Sequence, residues 1–262
     1  MQPRNETVVL KKEIIIPKRL ESPEFWVQHI PFAFYLVEHL KPSTVVELGT
    51  HSGNSFFAFC EAVKENDLSA KCYAVDGWVG DAQAGFYQEE VYESVVRHQQ
   101  KNYPDNAVLL RMKFDEAIGH FDANSIDLLH IDGLHTYEAV KHDFENWLPK
   151  LSGKAVVLLH DTQIREKDFG VWKFWDEIKN NYPSFEFLHG CGLGVIAIGK
   201  NVPDEILKFI NETERHNAQR VFFETEGKRI LTEYRKLEFK RGAKRLLFPH
   251  RILAKRFKKF FS

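Results

Sequence analysis

The chain has 262 residues, 44% hydrophobic and 28% charged, which suits a soluble globular protein built as one sizeable domain with extensions. Three cysteines, Cys60, Cys72 and Cys191, share no metal-ligand spacing and make no even set, so a reducing, cytoplasmic setting is expected and a disulfide framework is not. The formal net charge of −1 conceals an asymmetry: residues 240–262 hold nine Lys or Arg and no acid, leaving 27 basic against 37 acidic residues before them.

The start, "MQPRNETVVLKKE", is polar and predicts no leader, and residues 1–22 read as an extension. The stretch "SPEFWVQHIPFAFYLVEHLKP" (22–42) reads as a helix with Pro near its start, and Pro31 as a point where it can kink. Short apolar runs then alternate with helical stretches. "TVVEL" (44–48), "KCYAVD" (71–76), "AVLLR" (107–111), "IDLLHI" (126–131) and "KAVVLLH" (154–160) read as strands covered on both faces. Helices are expected over 55–64, 89–101, 137–148 and 171–180. This alternation predicts a doubly wound, mostly parallel α/β sheet. "FEFLHG" and "LGVIAIGK", separated by only a few residues, predict an antiparallel C-terminal hairpin at its edge. The domain is expected to span 23–202, followed by a helical, basic extension over 203–262. No apolar run reaches about 18 residues, so no membrane span is expected.

The first strand runs into "ELGTHSGNS", which sets Glu47, Gly49 and Gly53 in a turn that leads into a helix. Glycines let the backbone approach a ligand there, and the helix offers its first N–H groups. Three residues separate the two glycines, so the dinucleotide fingerprint fails, and a plain strand-to-helix turn is the simpler reading. Asp76, at the end of the second strand, weighs against it, because an acid at that place accepts hydrogen bonds from ribose hydroxyls.

Glu-x-Gly-x-x-x-Gly followed by an acid ending the second strand resembles the class I S-adenosylmethionine-dependent methyltransferases. The strings "VDGWVGDAQAGFY", "IDLLHIDGLHTYEAVKHDFENWLPKL", "VVLLHDT", "DFGVWKFWDEI" and "FEFLHGCGLGV" are similar to a narrower family among them, often found beside glycosyltransferases. The resemblance covers about residues 24–200. It implies a Rossmann-like seven-stranded fold, S-adenosyl-L-methionine as cofactor, and a sugar or small hydroxylated compound as acceptor. It carries Glu47, Gly49 and Gly53 to the methionine end, Asp76 to the ribose and Trp78 to the adenosine side. Thr50, Ser55 and Asp132 complete the expected cofactor contacts. Gln83 and Cys191 stand where many members of that family have His.

Two buried-type strands end in polar groups, "HIDGLH" and "LLHDT". In an open α/β sheet the ligand crevice lies beyond the carboxyl ends of the strands, so Asp132, His135, His160 and Asp161 are expected to face it. Asp132, His160 and Asp161 offer an O/N ligand set for a divalent cation such as Mg²⁺. Similar metal-dependent sugar methyltransferases use an acidic pair after the fifth strand, and His160 replaces its first member here. The plainer alternative is that His160 and Asp161 only hold loops. His135 is the candidate general base, because an alcohol must lose its proton to accept a methyl group. The loops 77–90 and 161–170 are expected to close over the site.

The basic segment mixes its cations with Leu, Ile and Phe, so peripheral contact with an anionic membrane surface is expected through 240–262. The acidic body argues against nucleic acid as a partner. The expected activity is methylation of a hydroxyl on a sugar or glycan. Alternatives are a small-molecule or N-methyltransferase, or a non-catalytic member of a glycan-assembly complex. Oligomeric state is not legible in the sequence.

Overall fold

The computed structural model describes residues 15–247 apart from 82, 84, 167, 213 and 214. In chain order the elements are α1 (Ile30–Leu40), β1 (Thr44–Leu48), α2 (Asn54–Glu65), β2 (Lys71–Asp76), a short hairpin of β3 (Gly80–Asp81) and β4 (Gly85–Phe86), α3 (Glu89–Asn102) and β5 (Ala107–Arg111). There follow α4 (Phe114–Ala117), β6 (Ile126–Ile131), α5 (Tyr137–Trp147), β7 (Leu151–His160), α6 (Val171–Ile178), β8 (Ser184–Phe187), β9 (Leu193–Ala197), α7 (Asp204–Asn211) and α8 (His216–Leu247).

Seven strands form one Rossmann-like sheet in the order β5-β2-β1-β6-β7-β9-β8. The first five are parallel. β9 runs antiparallel to both β7 and β8. Alternation along each strand feeds two cores, as a pleat covered on both faces requires. Val45 and Leu128 face an aromatic core with Phe32, Phe56 and Phe187, whereas Val46 and Leu129 face one with Phe144, Trp147 and Phe174. The chain moves outward from β1 through β2 to β5, then returns to lay β6 on the other side of β1. That reversal is the switch point at which ligands bind beyond the strand ends.

The helix expected from residue 22 begins only at Ile30, after a 3-10 turn over Val27–His29. Pro31 sits in its first turn and does not kink it, because N–H groups there need no partner within the helix. Lys41 ends it in the left-handed region at φ 47°. β7 starts at Leu151, three residues before the expected 154, and the extra length is taken up by a register shift opposite Ile126 and Leu128. The loop between β8 and β9 places Gly190, Cys191 and Gly192 in succession at φ 56°, 69° and 90°.

α8 crosses the 3-10 turn closely: a Cβ on Gly227 would lie 2.3 Å from the Gln28 carbonyl oxygen. Farther along, Arg241 donates to the Leu20 carbonyl at 2.9 Å and pairs with Glu21 at 2.9 Å. Among the described residues no helix is long and apolar enough to cross a membrane. The basic segment expected to meet a membrane surface extends into residues 248–262, which lie outside the described residues.

Candidate active site

β1 delivers the chain into the glycine turn. Gly49 extends the ladder by donating its N–H to the Val75 carbonyl at 2.9 Å, and Asp132 donates its own to Leu48 at 2.8 Å. The turn is tight enough that a Cβ on Gly49 would lie 2.0 Å from the Asp132 carbonyl oxygen, at a φ of 89°. Asp76 ties the turn down: Oδ2 accepts the N–H groups of Thr50 at 2.9 Å and His51 at 2.8 Å. Its Oδ1 accepts the N–H of Trp78 at 2.6 Å. Trp78 lies beneath the turn, buried, with its indole N–H donating to the His51 carbonyl at 2.9 Å. Glu47 is wholly buried one layer below and accepts from His130 Nδ1 at 2.9 Å. The Trp26 indole N–H can only donate, so His130 Nε2 accepts it at 3.1 Å and the proton sits on Nδ1.

Two adjoining cavities share Gly49, His51, Tyr87, Asp132 and His135 in their walls. The first continues along Asp76, Val79, Met112 and Phe114. The second continues along Trp26, Ser55, Gln83, His160, Asp161 and Phe169. Two polar atoms of these walls, Thr50 Oγ1 and His51 Nδ1, are buried without a hydrogen-bond partner among the described residues. A buried polar atom without a partner costs free energy, and a ligand with several polar groups of its own relieves that cost. A long amphipathic cofactor therefore fits these walls: Asp76 and the first cavity suit a nucleoside, and Gly49, Thr50 and Ser55 suit an amino-acid end. Gly53 sits one step back, as the cap of α2 at φ 84°.

An N-terminal strap forms one side of the second cavity. Asn54, in the first turn of α2, donates to the carbonyls of Glu21 at 2.7 Å and Pro23 at 2.8 Å. Buried Arg19 donates from Nε to the Ser52 carbonyl and from Nη2 to Ser94 Oγ at 3.1 Å. These bonds bring Pro23, Phe25 and Trp26 to the cavity.

Beyond β6 and β7, two carboxylates and two imidazoles converge. His135 Nε2 lies 3.0 Å from Asp161 Oδ2 and 3.4 Å from Asp132 Oδ1. His160 Nδ1 lies 3.2 Å from Asp132 Oδ1 and 3.2 Å from Asp161 Oδ1, while its Nε2 faces the Gly190 carbonyl at 3.1 Å. His29 Nε2 donates to that same carbonyl at 2.9 Å. Asp161 holds φ 62°, which turns the chain sharply after the strand. His135 is stacked on Phe169, ring centroids 4.9 Å apart and planes within 6°.

Burial opposes charge on His160, but Asp132 and Asp161 outweigh it and hold its pKa up at about 9. At neutral pH His160 is thus itself a cation between the two carboxylates. Burial likewise opposes charge on His135, and hydrogen bonding to Asp132 with the Asp161 charge raises it above its ordinary value. Burial would raise Asp132, yet His160 and His135 hold it well below the usual carboxylate range. Asp161 is raised, chiefly by burial and against the pull of His160. The Cys191 thiol, beside Asp161, is pushed up to about 12 by burial and then by the two carboxylates.

One ligand atom each from Asp132, His135 and Asp161 lies within 4.8 Å of the others, a set able to hold a metal ion. The set differs from the expected Asp132, His160 and Asp161 by one histidine. His160 faces both carboxylates from the inner side, where it already supplies positive charge. Tyr87 and Phe169 come from the loops 77–90 and 161–170 that were expected over the site, whereas sequence reasoning missed Trp26 as a wall. Its only signal is an aromatic placed before a predicted element, which core residues share.

The sheet, its switch-point crevice and the acid-tethered glycine turn define a class I S-adenosylmethionine-dependent methyltransferase fold. Residues 46–162 match the family model described as "Methyltransferase domain". It is 46% identical over 217 residues to an uncharacterized protein of Sinorhizobium fredii, y4gI, a match that covers 79% of this chain and 24% of that protein. The chain thus spans about a quarter of the length of the curated relative that it matches. Among solved structures it resembles a methyltransferase from Geobacter sulfurreducens, with a TM-score of 0.50 and 16% identity over 65% of this chain and 78% of that one. It also resembles a putative caffeoyl-CoA O-methyltransferase from Staphylococcus aureus, with a TM-score of 0.50 and 14% identity over 74% and 87%. The O-methyltransferase NovP aligns at a TM-score of 0.52 and 15% identity over 66% and 80%. These likenesses concern the fold.

Proposed function

We propose that this chain moves the methyl group of S-adenosylmethionine to a hydroxyl oxygen of a sugar or glycan, with His135 as general base. The observation that carries this reading is His135 Nε2, set between Asp132 and Asp161 in the wall shared by the two cavities. The cofactor, when bound, supplies an electrophilic methyl group. Asp76 offers its carboxylate to ribose hydroxyls, and the backbone at Gly49 lets the chain approach the amino-acid end. An acceptor hydroxyl gives up its proton as the new C–O bond forms. Neutral His135 takes that proton at Nε2, and the carboxylates of Asp132 and Asp161 stabilise the imidazolium that results. Phe25, Trp26 and Phe169 add apolar faces to a wall rich in carboxylates and imidazoles. That mixture suits a ring that presents hydroxyls at its edge and C–H groups on its face.

A second reading is favoured by the convergence of Asp132, His135 and Asp161 on one point, which suits a divalent cation. Such an ion, when bound, favours alkoxide over alcohol. The readings part at one atom, because an Nε2 that ligates a metal takes no proton.

The test is transfer of labelled methyl to candidate glycans, with and without chelator. On the base reading, turnover persists in chelator. His135→Gln lowers kcat by roughly 10²–10⁴-fold, the usual range for a general base, while calorimetry finds cofactor affinity near wild type. Turnover lost in chelator and restored by a divalent metal establishes the second reading. Wild-type turnover in His135→Gln removes His135 from the base role.

A further inference from the structure

The strap beside the second cavity is pinned on both sides of Phe25. Asn54 donates to the Pro23 carbonyl at 2.8 Å. Trp26 donates its indole N–H to His130 Nε2 at 3.1 Å, and Val27 donates its backbone N–H to the Glu24 carbonyl at 3.0 Å. Trp26 is 4% exposed, whereas its neighbour Phe25 is 60% exposed at the cavity. Among that cavity's described walls Phe25 is the large hydrophobic side chain left open to solvent. Because the backbone is fixed before and after it, a ligand that covers this ring has little chain to order. The apolar face is also narrow, since Ser22 is exposed and Glu24 half-buried in the same segment. An acyl chain needs a continuous apolar strip. One aromatic face edged by polar groups suits a sugar ring, with C–H groups on its face and hydroxyls around it.

The rest of the wall bears on charge. It carries the carboxylates of Asp132 and Asp161 and, among the described residues, no lysine or arginine. The imidazoles of His135 and His160 already face those carboxylates at 3.0 and 3.2 Å. Gln83 is committed as well: its oxygen accepts the His135 backbone N–H at 2.9 Å and its NH₂ donates to Asp168 at 2.8 Å. Phosphate recognition relies on arginine forks and lysine charges. A sugar linked to a nucleoside diphosphate would bring more negative charge to two carboxylates and meet neither. We propose that the second cavity takes an uncharged oligosaccharide of at least two rings, with the ring to be methylated inside and the adjoining ring stacked on Phe25. This inference rests on the reading of the acceptor as a sugar and narrows it; it asks nothing of the base.

The experiment reads binding, so it needs no turnover. Full-length protein saturated with S-adenosylhomocysteine is applied to an array of neutral di-, tri- and tetrasaccharides and nucleoside-diphosphate sugars. The glycan bound best is then compared, as a competitor in solution, with its single-ring fragment and with an aryl glycoside of that fragment. Wild type is expected to bind a neutral oligosaccharide more tightly than any nucleoside-diphosphate sugar, and to lose roughly tenfold in affinity when the second ring is removed. Phe25→Ala is expected to lose that tenfold gain, and Phe25→Trp to keep it. The melting temperature of Phe25→Ala, an exposed position, checks that folded proteins are being compared. An array on which no neutral oligosaccharide is bound overturns the proposal, as does a nucleoside-diphosphate sugar bound more tightly. A Phe25→Ala protein that still gains from the second ring removes Phe25 from the site. An aryl group that supplies the Phe25-dependent gain where a second ring does not shows an apolar aglycone instead, and overturns it too. If the oligosaccharide binds as expected but accepts no methyl group, the methylation reading falls and the binding site stands. If methyl is transferred to a nucleoside-diphosphate sugar, the methylation reading stands and this inference falls.

Discussion

Asp143, on the inner side of α5, is 6% exposed. Burial pushes its carboxyl up to about 7, with His142 opposing and Asp115 adding to the effect. An unfolded Asp titrates near 3.9. Between about pH 4 and pH 7 the folded protein keeps a proton that the unfolded chain has lost, so this residue makes stability fall as pH rises through that window. Asp143→Asn is expected to raise the melting temperature relative to wild type at pH 8 and to change it little at pH 4. A variant no more stable than wild type at pH 8 refutes the assignment. Sequence reasoning reached Asp132, His135 and Asp161 because strand ends in a parallel sheet all face one crevice, so convergence follows from topology alone. It did not reach Gln83 as a partner of His135. That contact spans two loops, and neither the length nor the path of a loop follows from hydrophobic period. Nor did it reach the pairing of Glu47 with His130, which depends on Trp26 holding the imidazole tautomer from a segment read as helix.

At the scale of elements, the strands were legible to within a few residues because runs such as "VVLLH" have no other way to bury both faces. Two features disturbed the reading. Pro31 marks the true start of α1, eight residues after Pro23 suggested one, and the difference frees residues 22–26 to act as the strap. The hairpin of β3 and β4 has only two residues in each strand, too few for period-2 alternation to register. The strap is held to the glycine turn and to α3 by a buried guanidinium: Arg19 is 5% exposed, and burial lowers its pKa to about 10. Bonds from a charged group to buried acceptors contribute about 1.5–3 kcal/mol each. Arg19→Ala is expected to lose at least that much stability in urea and to weaken cofactor binding about tenfold or more, because the Ser52 carbonyl it holds belongs to the cofactor turn. Unaltered cofactor affinity, measured where the variant is still folded, separates the strap from the turn.

For the molecule as a whole, α8 serves as a brace across the 3-10 turn, so the two ends of the described chain meet beside the site. Replacing a helical glycine by alanine ordinarily stabilises by about 1 kcal/mol. At Gly227 the sign is expected to reverse, since the new Cβ would lie 2.3 Å from the Gln28 backbone oxygen and must drive α8 off the turn. Gly227→Ala is expected to unfold at lower urea concentration than wild type; a gain would show that the helix yields without cost. The outer walls of the second cavity come from three separate places in the chain: Pro23, Phe25 and Trp26 from the strap, Gln83 and Tyr87 beside the β3–β4 hairpin, and Phe169 before α6. None of these residues belongs to the sheet or to the turn that Asp76 tethers. Pro23 and Phe25 line the second cavity alone, so the acceptor side can be rewritten there, while Tyr87 is shared with the donor side, Trp26 holds His130 and Phe169 stacks on His135. A laboratory library confined to Pro23 and Phe25 would sample new acceptors without disturbing Gly49, Asp76 or Asp132.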